Sequence, residues 1–145
     1  MPTIKGDLIM ESDTVYTEPL IVEGSIMGKN GARYNLAAEG NIIAKNINAR
    51  TINAWKIYAR DIDAWNIYAW NIYARDIDAM DINAMDIYAR DIDAWNIDAR
   101  NIYARDIDAL FILCEALHQK EGSRLVAAHI VKNKSKYEKR EMRVD

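Results

Sequence analysis

Between Asn41 and Leu110 one five-residue phrase occurs fourteen times in succession. Isoleucine fills the second slot of every unit and alanine the fourth. The first slot is Asn or Asp except at Thr51 and Lys56. A period of five rules out the two ordinary elements. On an α-helix, five residues advance about 140° beyond a full turn, so the isoleucines would spread round the cylinder. Along a straight strand, an odd period sends successive isoleucines to opposite faces. A coil that turns a corner every five residues does give a core. Slots two and four point inward from each short extended side, slot three points outward, and Asn or Asp forms the corner by bonding backbone locally. Such a chain is an all-β solenoid whose units are stable only when stacked.

The variable fifth slot bears on how many units close one coil. With four units, the columns read Lys45/Trp65/Met85/Arg105, Arg50/Trp70/Arg90/Leu110, Trp55/Arg75/Trp95 and Arg60/Met80/Arg100, and no two cations are neighbours. With three, Arg60, Arg75, Arg90 and Arg105 would pile on one another. At a strand spacing of about 4.8 Å like charges repel and Arg can lie on Trp. This argument favours four sides.

The phrase resembles that of the pentapeptide-repeat family, over about half of the chain. The resemblance implies a right-handed four-sided parallel β-helix with about four pentapeptides per coil. In the family phrase a small residue lies two before a central Leu or Phe. Here the large Ile lies two before the small Ala, a variant similar to repeat proteins of Gram-positive bacteria and their phages.

The flanks read as caps on a single domain spanning 1–145. Residues 1–40 are irregular coils feeding into the repeat, with three echoing phrases: Lys5-Gly6-Asp7-Leu8, Glu23-Gly24-Ser25-Ile26 and Glu39-Gly40-Asn41-Ile42. The regular repeat occupies 41–110. Residues 111–131 form a C-terminal cap, with strands over Phe111 to Leu117 and Leu125 to Val131 joined at Gln119 to Ser123 as a hairpin or strand extension. A helix from Ala109 to Lys120 is the rival reading, since Leu, Glu, Ala, Gln and Lys are good helix formers. Residues 132–145 make a charged tail.

Net charge divides as −3 over 1–40, −3 over 41–110 and +3 over 111–145. None of these is large enough to call for nucleic acid or a membrane surface. One cysteine, Cys114, excludes an internal disulfide and fits a reducing, cytoplasmic setting. No apolar run approaches the ~18 residues of a membrane span, and the acidic N-terminal region does not read as a signal peptide.

Three groups of residues could carry chemistry. In the four-unit register Asp61 stacks on Asp81, Asp86 on Asp106 and Asp78 on Asp98. These pairs suggest a cation ladder, but calcium-binding repeats fold glycine-rich backbone around the ion and this repeat has no glycine. Turn capping and solubility are the preferred reading, with pKa values raised by like-charge repulsion. The outward aromatics Trp55, Trp65, Trp70, Trp95, Tyr68, Tyr73 and Tyr88, with Arg75 and Arg90, form the candidate interaction surface, because Trp and Tyr are enriched at binding hot spots. Their structural reading is stacking between coils, with Arg75 and Arg90 sandwiched between rings. Cys114, His118 and His129 lack the local signature of a nucleophile pair, and Cys114 reads as buried in the cap. No phosphate-binding loop, dinucleotide fingerprint or zinc spacing occurs, so neither cofactor nor metal is expected.

The sequence thus points to a non-enzymatic structural or protein-interaction protein, binding an unidentified protein or a second copy of itself through an end or the tail. The alternative comes from the resemblance: some pentapeptide-repeat proteins mimic duplex DNA and bind DNA gyrase.

Overall fold

The computed structural model describes residues 3–132. They form one continuous parallel β-solenoid. Three short strands, β2 (Leu8–Met10), β3 (Thr14–Tyr16) and β4 (Leu20–Val22), make an early coil. They pair with β5 (Ile26–Gly28), β6 (Asn35–Ala38) and β7 (Ile42–Ile43), and β1 (Thr3–Ile4) lies on the outer edge of β4. All three of β5, β6 and β7 then pair with successive parts of one long strand, β8 (Asn46–Tyr58). One coil therefore has three sides.

From there the chain is regular. The strands β8, β9 (Asp61–Tyr73), β10 (Asp76–Tyr88) and β11 (Asp91–Tyr103) stack in parallel, each residue over the one fifteen earlier. Asn46, Asp61, Asp76, Asp91 and Asp106 form one column, and Tyr58, Tyr73, Tyr88 and Tyr103 another. Three pentapeptides, not four, close each coil. The register does place Arg60, Arg75, Arg90 and Arg105 one above the other. This is tolerated because the side chains are largely in water, 53% exposed at Arg90 and 63% at Arg105, where repulsion is screened. An Asp column also runs beside them: Arg90 Nε lies 3.8 Å from Asp91 Oδ2, and Arg105 Nε 3.8 Å from Asp106 Oδ2.

The inward pattern follows the phrase. All fourteen repeat isoleucines are buried, and the alanines are buried except Ala59, Ala69, Ala74 and Ala89, which are partly exposed. The first two corners of each coil bend within a continuous strand. The third interrupts it at Ala59-Arg60 and its equivalents. There the Arg60 carbonyl accepts from both the Arg75 and the Asp76 N–H groups, at 2.9 and 3.0 Å, and Arg75 does the same for Arg90 and Asp91. Backbone pairing between coils holds this corner.

In the irregular coils carboxylates take that part. Asp7 Oδ1 accepts from the Ser25 N–H at 2.8 Å, and Asp13 Oδ1 from the Asn35 N–H at 2.9 Å. Gly24 is required beside the first: a Cβ there would lie 2.2 Å from Asp7 Oδ1. Two of the echoing phrases do stack, with Leu8 on Ile26, but Ile42 lies on Leu20, on another side.

Beyond Leu110 the phrase continues in phase. Ile112 lies on Ile97, fully buried Cys114 holds an alanine slot, and Leu117 lies on Ile102. The strands β12 (Asp106–Cys114), β13 (Ala116–His118) and β14 (Leu125–Lys132) are all parallel to what they cover. The C-terminal cap is thus strand extension, and neither a hairpin nor a helix over 109–120. Three extra residues at the 119–123 turn lengthen the last coil from fifteen residues to eighteen, so that Leu125 lies on Ile107. The expected charged tail, apart from Lys132, falls outside the described residues. No helix among the described residues is long and apolar enough to cross a membrane.

Candidate interaction surfaces

Fifteen-residue register sorts the outward side chains into columns, each with its own chemistry. On the side led by Asn46, Asp61, Asp76, Asp91 and Asp106, the outward third slot adds Asn48, Asp63, Asp78, Asp93 and Asp108. Eight aspartates stand in two columns on one side, flanking an open channel of about 650 Å³ that Arg124 also lines. The expected pairs of Asp61 with Asp81, Asp86 with Asp106 and Asp78 with Asp98 do not form.

The other sides treat their acids differently. Asp81 lies between Asn66 and Asn96, and Asp86 between Asn71 and Asn101. Asn96 Nδ2 donates to Asp81 Oδ1 at 2.7 Å, and Asn101 Nδ2 to Asp86 Oδ1 at 2.9 Å. Asn66, with its amide nitrogen turned toward Asp81, donates to Oδ2 at 3.1 Å. Alternating amide and carboxylate removes the repulsion.

On the acidic side nothing alternates. Burial, then the neighbouring carboxylates of Asp63 and Asp93, push the Asp78 pKa above its ordinary value, with Arg33 pulling the other way. Asp91 is also raised, first by burial, then by a side-chain hydrogen bond and charge from Asp76 and by the charge of Asp106, against Arg90. One oxygen each of Asp61, Asp76 and Asp91 is buried without a hydrogen-bond partner. The columns are linear. Among the described residues no three His, Cys, Asp or Glu side chains converge as a metal ion requires.

The tryptophans fall on two corners. Arg50, Trp65, Met80, Trp95 and Leu110 follow the acidic side, one coil apart, while Trp55, Trp70, Met85, Arg100 and Glu115 occupy the next corner. Trp55 and Trp70 stack at 5.7 Å with 8° between ring planes. Tyr68 stands between Asn53 and Asn83 beside them. Arg75 and Arg90 are not sandwiched between rings. They belong to the cationic column, and it is Arg50 whose guanidinium lies over Trp65, at 5.8 Å. The candidate surface is therefore not one patch but several separate columns.

Trp65, Met80 and Trp95 do, however, border Asp63, Asp78 and Asp93, making a groove of about 320 Å³ with acid on one wall and rings on the other. Arg33, from the irregular coils, already occupies its N-terminal end. Its Nη2 donates to Asp63 Oδ1 at 3.1 Å and its Nη1 to the Ala49 carbonyl at 3.1 Å.

On the third side Tyr58, Tyr73, Tyr88, Tyr103 and His118 form a ladder. Centroids are 4.8, 4.9, 4.7 and 4.3 Å apart and planes within 6°. Tyr73 has a ring on each face, so Tyr73→Ala should cost about 1–3 kcal/mol at ~0.5–1.5 per aromatic contact. Urea denaturation reads the loss, and an unchanged midpoint would mean that the stack contributes nothing.

No family model, curated protein or solved structure matches this chain.

Proposed function

We propose that this is a non-enzymatic interaction protein whose acidic side and adjoining aromatic column dock an arginine-rich segment of a protein partner. The observation that carries the reading is Arg33. A guanidinium from this same chain sits in the Asp63 end of the groove, bonded to carboxylate and carbonyl. The same acid column continues at Asp78 and Asp93, beside Met80 and Trp95. Guanidinium groups pair with carboxylates and lie against aromatic faces, so the unfilled positions suit more of the same. Stacked aspartates oppose one another, and the chain alternates Asp with Asn on its other sides. A repulsive column retained on one side is what a binding surface for cations looks like when its partner is away. The phrase supports reading the chain as a three-sided variant of the pentapeptide-repeat family, and its single buried cysteine supports a cytoplasmic setting.

Trp fluorescence titrated with an oligoarginine peptide tests this. Binding should saturate and exceed that of oligolysine. Changing Asp63, Asp78 and Asp93 together to Asn should weaken it ~10-fold or more, about 1.4 kcal/mol. Changing Asp81 and Asp86 to Asn should not. Equal loss in both variants would leave only general attraction between opposite charges and overturn the proposal.

One observation favours the DNA-mimic alternative: the register gathers eight carboxylates onto one side, as a mimic of phosphate rows needs. Inhibition of gyrase supercoiling at micromolar protein would support it, and activity untouched at that concentration would close it.

A further inference from the structure

We propose that the C-terminal end of the corner between the tyrosine ladder and the cationic column binds a small planar anion, an aromatic ring bearing a phosphate or carboxylate. This corner is a groove. Tyr103 and His118, the end of the ladder, form one wall, Arg90, Arg105 and Lys120 the other, and Ala89 and Ala104 the floor. It opens to about 540 Å³ at one place, around Tyr103, Ala104, Arg105, His118 and Lys120.

The aspartate column ends at the same place. Arg60, Arg75, Arg90 and Arg105 are each followed by an aspartate of the neighbouring column. The next cation, Lys120, is followed not by an aspartate of that column but by Glu121 in the turn, because the column position above Asp106 is filled by Arg124, whose N–H donates to Asp106 Oδ1 at 3.0 Å. Lys120 is exposed and makes no ion pair among the described residues. Arg105 meets Asp106 through Nε, so its two terminal nitrogens are outside that contact, and the residue lines the opening.

The ring component has a stated seat. His118 is the last ring of the ladder among the described residues and is exposed, with Tyr103 4.3 Å beneath it. A flat ring laid on His118 continues a stack already spaced at ring contact. From there an anionic substituent reaches the cationic wall, where a guanidinium and an ammonium both bind phosphate or carboxylate. Gln119 fixes the turn that frames the site, donating to the Arg105 and Arg124 carbonyls at 3.1 and 3.2 Å.

The test is a titration of the intact chain with phenyl phosphate at fixed pH, read by the Tyr103 and His118 ring-proton signals in NMR (Tyr103 alone in the His118 variant), alongside inorganic phosphate and benzyl alcohol. Phenyl phosphate should saturate with an upfield ring-current shift, and more tightly than either comparator. Lys120→Gln and Arg105→Gln should each weaken it ~10-fold. His118→Leu should erase its advantage over inorganic phosphate. Arg60→Gln, in the same column but beside Asp61, should change nothing. No saturation below ~10 mM, inorganic phosphate binding as tightly, or equal weakening by Arg60→Gln would each overturn the proposal.

Discussion

Replacing Ile82 with alanine should cost about 2–5 kcal/mol, and replacing it with aspartate should leave no folded protein. Ile82 is 1% exposed and sits in register between Ile67 and Ile97, in the middle of the regular coils. Alanine leaves a void that the coils above and below cannot close, because their backbones are tied by continuous parallel pairing. Aspartate buries a charge with no cation among the described core residues to meet it. The loss should not stay local. Each coil is stabilised by its two neighbours, so damage in the middle strips one neighbour from both halves. Trp55 and Trp70 report on early coils and Trp95 on a later one. In urea, fluorescence of single-Trp variants and far-UV circular dichroism should therefore move together in wild type. Separate transitions for the two halves would show that the rod is not one cooperative unit.

The sequence carried the fold class and the inward pattern because both depend on the phrase alone. Any coil with a corner every five residues turns Ile and Ala inward, whatever the number of sides. The number of sides depends on which outward residues stack, and there one physical premise failed. Like cations were expected to avoid one column, yet the arginines at 60, 75, 90 and 105 share one, in solvent and beside aspartates. The signal was present. Asp-Ile-Asp-Ala recurs at 61, 76, 91 and 106, and Ile-Tyr-Ala-Arg ends at 60, 75, 90 and 105, both with a period of fifteen. Residue charge judged one pair at a time concealed a compensation that runs sideways, between columns.

The candidate site followed the same logic. Trp and Tyr were singled out as types, but a surface is made by adjacency, and adjacency needs the register. Once the coil has fifteen residues, Trp65 and Trp95 border the aspartates while Trp55 and Trp70 turn another corner. Arg33 could not have been foreseen from the phrase. It lies in an irregular coil, thirty residues before the Asp63 it bonds. The C-terminal cap left hairpin, strand extension and helix open for a related reason: its phase is hidden by the bulky Phe111 and Leu113, which fall in outward slots, while the inward pair is Ile112 and Cys114.

Stability should rise, not fall, as pH is lowered from neutral through the folded-state values of Asp78 and Asp91, both raised above the ordinary Asp value of ~3.9. A carboxyl whose folded pKa exceeds its unfolded value binds more protons in the folded state. Stability therefore declines as pH climbs through the folded pKa, and the penalty is complete above it. Lowering pH through that value removes the penalty. The geometry gives the proton a place. A buried oxygen of Asp91 lacks a partner, and a proton on Asp91 shared with the Asp76 carboxylate would supply it. The melting temperature should thus climb above its pH 7 value as pH is lowered toward about 4, through those raised values. Asp78→Asn with Asp91→Asn should raise it at pH 7 and flatten the profile between the two. A melting temperature that drops steadily from pH 7 to about pH 4 in wild type, with the double variant no more stable at pH 7, would mean that the aspartate columns carry no strain. It would also remove the argument that this side is held in repulsion for the sake of a cationic partner.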